Sequence, residues 1–264
     1  MSTLSFRNVW VEYGNQVVLE RVNLEIISGT FLSIVGPSGA GKSTFLRLIL
    51  GQERPTQGAV LLDGQPFPAE PGPDRGIVFQ RYSVFPHLTV LGNVLLGYEL
   101  ASSPFTARLF GTARKAAVEK SLALIEAVGL SAHSDKYPSA LSGGMQQRAS
   151  IARALAFDAD LLLMDEPFGA LDEIVRDHLN EQLLKLWERT NKTICFVTHS
   201  IPEAVYLSTK IVVMSPRPGR VTDVIDSPLP RERPLDIRET PEFLEIAHRV
   251  REGLRAGHSY DEHA

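Results

Sequence analysis

Four short runs of continuous apolar residues set the strongest limit on what this chain can fold into. They are Phe31-Leu32-Ser33-Ile34-Val35, Gly76-Ile77-Val78-Phe79, Leu161-Leu162-Leu163-Met164 and the segment Thr193–Thr198. Runs of this length without polar alternation read as strands of a parallel sheet covered on both faces. Each run ends on a residue with chemistry: Gly36, Gln80, the Asp165-Glu166 pair and His199. Ligands of open α/β sheets bind outside the carboxyl ends of the strands, so these four ends predict one shared crevice.

Composition narrows the class. The 264 residues, 44% hydrophobic and 22% charged, describe a globular chain long enough to bury a sizeable core. A formal net charge of −4 supplies no global basic field, and no nucleic-acid partner is expected. The single cysteine, Cys195, excludes an internal disulfide framework and suits a reducing compartment; its place inside an apolar run predicts core packing. Met1–Val11 lacks the basic start and apolar run of a signal peptide, and no apolar stretch approaches the roughly 18 residues of a membrane span. These features predict a soluble, cytosolic protein.

Around the apolar runs the pattern changes twice. Ser5–Tyr13 and Gln16–Ile27 flank Gly14-Asn15, a two-residue hairpin signal. Between Gln80 and Leu141 the spacing turns helical: Thr89–Glu99 is one segment, and Arg114–Val128 another, with apolar residues at mixed three and four spacing in Val118, Leu122, Ile125 and Ala127-Val128. Residues 81–150 therefore read as a helical subdomain inserted in an α/β core. Ser200-Ile201-Pro202-Glu203 has capping-box spacing, and Lys210–Met214 with Val221–Ile225 forms a hairpin around Pro216-Arg217-Pro218-Gly219, whose Arg217 and neighbouring Arg220 read as solvated. Thr240-Pro241 starts an amphipathic helix through Phe243, Ile246, Ala247, Val250 and Leu254, with a loose polar end from Gly257 onward.

Three constellations carry chemistry. Gly36-Pro37-Ser38-Gly39-Ala40-Gly41-Lys42-Ser43 satisfies G-x-x-x-x-G-K-[ST] between a strand and an apolar helix. Its small residues let backbone N–H groups curl around phosphate oxygens at a helix N-terminus; Lys42 reaches the β- and γ-phosphates, and the Ser43 hydroxyl ligates Mg²⁺. Asp165 and Glu166, adjacent at a strand end, suit one carboxylate for the metal's outer shell and one for the attacking water; by itself the pair is equally a solvated acidic terminus. Leu141-Ser142-Gly143-Gly144-Met145-Gln146-Gln147-Arg148 opens a helix whose Ser142 serves as N-cap; by itself this reads first as an ordinary Ser-capped helix and second as another terminus suited to an anion.

The string LSGGMQQR ahead of LLLMDEP resembles the signature motif of ATP-binding cassette (ABC) ATPases, a P-loop NTPase family. Gln80 matches that family's glutamine loop, Phe168–Asp172 its D-loop, His199 its switch histidine and Tyr13 its adenine-stacking aromatic; the similarity spans about residues 4–225. The resemblance implies a P-loop NTPase core with a parallel sheet, an N-terminal antiparallel β subdomain and an inserted helical subdomain. Residues 1–80 and 151–230 are then the ATP-binding core, 81–150 the helical signature subdomain and 231–264 a C-terminal extension. It further implies a head-to-tail homodimer, each ATP lying between one phosphate loop (Gly36–Ser43 with Thr44) and the partner's Ser142-Gly143-Gly144. Glu166 is then the general base, Asp165 and Ser43 hold Mg²⁺, Gln80 senses metal and lytic water, His199 contacts the γ-phosphate and Asp172 bridges the two sites.

A separate, single cassette resembles the energy subunit of a bacterial importer, peripheral on the cytoplasmic face of the inner membrane. The resemblance implies a permease docking near Tyr82–Phe85 and an extracytoplasmic solute-binding protein as indirect partner. THSIPEAV at residues 198–205 and VMSPRPGR at 213–220 resemble the nitrate/sulfonate/taurine branch, which also includes transporters of pyrimidine-type precursors. Two other readings stand beside it: a soluble ABC ATPase without a transport role, and the cassette of an exporter with a separate permease.

Overall fold

The computed structural model describes residues 3–68, 70, 72, 74–78, 84–102, 108–169 and 171–259. In chain order the elements are β1 (Thr3–Tyr13), β2 (Gln16–Ile27), β3 (Phe31–Val35), α1 (Lys42–Leu50), β4 (Gln57–Leu62), β5 (Gln65–Pro66), β6 (Arg75–Val78), α2 (Val90–Ser102) and α3 (Gly111–Ala127). There follow α4 (Gly143–Ala156), β7 (Leu161–Asp165), α5 (Glu173–Thr190), β8 (Thr193–Thr198), α6 (Ile201–Leu207), β9 (Lys210–Ser215), β10 (Arg220–Asp226) and α7 (Pro241–Ser259). The chain divides into two compact units, residues 1–72 with 183–264, and residues 73–182.

The first unit holds both expected sheets. β2, β1, β4 and β5 form an antiparallel sheet in that order, and Tyr13 pairs with Gln16 across the predicted Gly14-Asn15 turn. The other sheet runs β10-β9-β3-β8, with β3 parallel to both neighbours; Ser33 lies opposite Phe196 on one side and Ile211 on the other. Every residue of β3 is buried, which explains its unbroken apolar run, and its one hydroxyl, Ser33, accepts a hydrogen bond from Ser208 Oγ. Phe6 of β1 stacks on Phe45 of α1 with ring centroids 4.5 Å apart, tying the antiparallel sheet to the helix after the phosphate loop. Cys195 is fully buried in β8, and burial pushes its thiol up to about 12. Maleimide should leave the native protein unlabelled and modify it stoichiometrically after denaturation; prompt native labelling would contradict this packing.

The C-terminal extension is folded onto this unit. Arg233, only 4% exposed, donates to the carbonyls of Pro230, Val205, Tyr206 and Ser208, the last three from the end of α6. Tyr206 Oη returns a hydrogen bond to the Arg233 carbonyl at 2.7 Å, and the Arg238 guanidinium lies over the Tyr206 ring at 4.9 Å. Orphan carbonyls at a helix C-terminus thus receive a buried cation. Arg233→Met should cost about 2–4 kcal/mol, read as a lower urea midpoint at unchanged slope, because buried carbonyls lose their donors. α7 buries Phe243, Ile246, Ala247 and Val250 as its periodicity predicts. Its end differs from expectation: the helix continues to Ser259, and Gly257 is buried, where an added Cβ would stand 3.3 Å from the Ser215 Cα. A glycine permits the close helix–strand approach that its polar neighbours conceal in the sequence.

In the second unit β6 and β7 pair in parallel, Val78 opposite Met164. α2 and α4 meet closely at Gly97, where a Cβ would lie 2.6 Å from the Arg153 carbonyl. The expected face of α3 is corrected. Ala117, Ser121, Ile125 and the following Val128 are buried, whereas Leu122 is exposed and Val118 is partly covered. Small side chains serve a tight approach, and Ser121 donates its proton to the Ala117 carbonyl at 2.7 Å within the same helix. Asn93, fully buried, accepts from the Phe85 N–H and donates to the carbonyls of Phe85, Leu88 and Thr89, so its amide folds residues 85–89 against α2.

Candidate functional site

The loop between β3 and α1 is shaped by glycines that nothing else can replace. Gly39 and Gly41 have φ of 84° and 77°, in the left-handed region. A Cβ at Gly41 would stand 2.5 Å from Leu19 Cδ2, and one at Gly36 would stand 2.9 Å from the Met214 carbonyl. The loop is therefore bedded on β2 and β9, and it closes through the Ala40 N–H to the Pro37 carbonyl at 3.2 Å. α1 begins at Lys42 with Gly41 as N-cap and no side-chain cap. Lys42 Nζ crosses the loop and donates to the carbonyls of Gly36 at 2.7 Å and Pro37 at 3.0 Å. A phosphate entering there meets the positive end of a helix and an ammonium already aimed across the cradle. Glycine-rich curvature with a lysine across it fits a polyphosphate.

Other predicted residues of the same unit sit at element ends. Tyr13, 45% exposed at the end of β1, donates its hydroxyl proton to Glu53 Oε2; desolvation and Glu53 both push the phenol up. That tether fixes the ring's orientation. His199 is exposed at the end of β8. Behind it the expected capping box is present in altered form. Ser200 Oγ accepts from the Glu203 N–H at 3.4 Å, but the buried Glu203 carboxylate accepts from Thr198 Oγ1 at 2.5 Å, and Thr198 Oγ1 accepts from the Ser200 N–H at 3.0 Å. A threonine hydroxyl is inserted between the two ends of the box, so residues on both sides of His199 are locked.

In the second unit, β7 delivers Asp165 and Glu166, each partly buried. Glu166 has a φ of 46°, left-handed backbone that a non-glycine residue adopts at a cost of roughly 1–3 kcal/mol. The turn is held by the Gly169 N–H bonded to the Glu166 carbonyl at 3.2 Å. Asp172 caps α5, its Oδ1 accepting from the Val175 N–H at 2.9 Å. Ser142 caps α4 as expected, accepting from the Met145 N–H at 3.3 Å; it is exposed, and Gly143 and Gly144 open the helix. The rest of that motif is scaffold: Gln146 donates to the Pro138 and Leu141 carbonyls, and Arg148 Nη1 donates to the Val128 carbonyl at 3.0 Å. Gln80 and Tyr82 lie outside the described residues; Phe85 is within them, exposed, with the Arg153 guanidinium 4.9 Å from its ring centroid.

Both basic residues of the β9–β10 turn are exposed, as the solvated reading has them, and each has a neighbour the sequence does not announce. Arg220 pairs with Glu20 at 2.7 Å. Arg217 lies beside the tip of the phosphate loop, a neighbourhood that no local pattern announces because it joins residues far apart in the chain.

The ABC transporter family pattern matches residues 19–169. The chain belongs to the ABC transporter family. As an ABC cassette it is an ATP-binding subunit and an ATPase. It is similar to the nitrate import ATP-binding protein NrtD of Synechocystis sp., 40% identical with 92% of this chain and 90% of the relative covered. It is likewise similar to the taurine import ATP-binding protein TauB of Rhizobium johnstonii, 42% identical with 90% of each covered. A dimeric structure of the ATP-binding cassette MJ0796, in a post-hydrolysis state bound to ADP and Pi, superposes with a TM-score of 0.71 at 32% identity, covering 84% of this chain and 98% of that one. Among the described residues no helix of this ABC cassette is long and apolar enough to cross a membrane.

Proposed function

We propose that this ABC cassette is the energy subunit of an importer for a small solute, a nitrate-, sulfonate- or taurine-like anion or a pyrimidine-type precursor. What carries the reading is its identity with nitrate and taurine import subunits over nine-tenths of their lengths. Two copies pair, a step the dimeric cassette at 32% identity supports, and in this reading they pair head to tail. Each ATP then lies between Gly36–Thr44 of one copy, with Tyr13 against the adenine, and Ser142-Gly143-Gly144 of the other. Residues 1–80 and 151–230 act as the ATP-binding core, 81–150 as the signature subdomain and 231–264 as an extension.

The chemistry assigned to each residue follows from what it offers. Lys42 exchanges its two carbonyl partners for phosphate oxygens, a stronger charge-assisted pairing. Ser43, Asp165 and Gln80 supply the hard oxygen donors that suit Mg²⁺, which when bound neutralises charge on the phosphates. Glu166, on the strained turn that ends β7, takes a proton from the attacking water. His199 contacts the terminal phosphate, held from behind by the Thr198–Glu203–Ser200 bonds. Asp172 links the two sites while capping α5. Closure on ATP and opening after hydrolysis are transmitted to a permease that docks near Tyr82–Phe85, so the cassette works as a peripheral protein on the cytoplasmic face of the inner membrane.

The test is affinity purification of the tagged chain from gently solubilised native membranes. A multi-span permease should co-purify, with an extracytoplasmic binding protein whose extracted ligand identifies the cargo and whose addition stimulates hydrolysis. Recovery of a soluble complex alone, with membrane extraction verified, would contradict the importer reading. A permease whose ATPase needs no binding protein would point to export.

A further inference from the structure

The β9–β10 turn, Ser215-Pro216-Arg217-Pro218-Gly219-Arg220, is locked onto the phosphate loop. Gly219 is buried, and a Cβ on it would stand 2.2 Å from the Ala40 carbonyl and 3.0 Å from the Val18 carbonyl. Its N–H donates to the Val18 carbonyl at 2.9 Å, and its own carbonyl accepts from the Glu20 N–H at 2.9 Å. Ser215 Oγ donates to the Pro218 carbonyl, and Arg220 is neutralised by Glu20. Val18 and Leu19 of β2 are also the residues against which Gly41 is bedded. Turn, β2 and phosphate loop thus form one interlocked layer.

Within that layer Arg217 stands apart. It is exposed and has a φ of 36°, left-handed backbone that is costly for a non-glycine residue. A methyl group added at Gly39 would stand 3.7 Å from Arg217 Nε, which puts the guanidinium beside the loop tip. Among the described residues no hydrogen bond or ion pair engages Arg217. A strained backbone therefore delivers to the rim of an anion cradle a cation that has no partner among the described residues. We propose that Arg217 is a further nucleotide-binding residue, whose guanidinium pairs with the polyphosphate of ATP at the rim of the loop while Lys42 pairs with it across the loop. This rests on the phosphate loop being the ATP site. It assigns to the Pro-Arg-Pro-Gly turn a task that Lys42 and α1 leave unfilled, a second positive charge approaching from the β9 side.

The test measures equilibrium binding of a fluorescent ATP analogue with Mg²⁺ to the full chain, at concentrations where it stays monomeric. Four proteins are compared: wild type, Arg217→Gln, Arg217→Lys and Arg220→Gln. Loss of one charge-assisted pairing should weaken Arg217→Gln about tenfold and flatten its salt dependence, while Arg217→Lys recovers most of the affinity. Arg220→Gln, which removes a cation of the same turn already paired with Glu20, should bind like wild type. Wild-type affinity in Arg217→Gln would overturn the proposal. So would an equal loss in Arg217→Lys, or in Arg220→Gln, because either would assign the effect to the turn's shape and not to the charge at 217. Failure of the wild-type chain to bind the analogue would instead remove the ATP-site reading itself.

Discussion

Glu166→Gln should lower ATP turnover by about 10²–10⁴-fold while ATP binding survives. The magnitude is that of removing a general base, since glutamine keeps the shape and hydrogen-bonding reach of glutamate but takes no proton from water. The local fold should tolerate the change. The left-handed turn at Glu166 is held by its backbone carbonyl to the Gly169 N–H and by the buried Pro167 and Phe168 that follow, none of which involves the carboxylate. Single-turnover hydrolysis and nucleotide binding, measured on the same preparation, separate the two effects. Near-normal hydrolysis by this variant would remove Glu166 from the role of base.

Ser142→Arg should abolish hydrolysis and leave nucleotide binding by the isolated chain nearly intact. Ser142 is exposed at the head of α4, with its hydroxyl capping the Met145 N–H. Replacing it loses an N-cap worth about 1 kcal/mol, too little to unfold a domain. It also fills, with a long charged side chain, the helix terminus that receives the partner's ATP in the proposed dimer. A protein that melts normally and binds ATP in one half-site, but does not turn over, is the expected outcome. Equal loss of binding and turnover, with melting unchanged, would place Ser142 on the nucleotide of its own chain.

What the sequence discloses about the site follows from where its residues sit. β3, β7 and β8 are buried along most of their lengths, so their runs are continuous and their ends conspicuous; Gly36, Asp165 and His199 stand where an apolar run stops. The phosphate loop is legible because its glycines answer steric demands that only glycine meets. α3 misleads because a close helix approach selects Ala117 and Ser121 over the larger Leu122, and hydrophobicity says little about closeness. Arg233 looks like a solvated residue in a proline-rich tail, yet its guanidinium serves carbonyls of α6 more than twenty residues earlier. Its burial depends on the path of the extension, which has no local signature. Arg217 and Gly219 are hidden for the same reason: their neighbours, Gly39, Ala40 and Val18, lie roughly two hundred residues away along the chain.

In the proposed dimer, two copies of this chain enclose ATP between the phosphate loop of one and the Ser142-Gly143-Gly144 terminus of the other. The most direct measurement of that enclosure is the molar mass of Glu166→Gln by light scattering, without nucleotide and with ATP in excess. A monomer that doubles in mass with ATP is expected, with no doubling when Ser142→Arg is added to the same chain. A mass that stays monomeric while ATP is bound would contradict the enclosure.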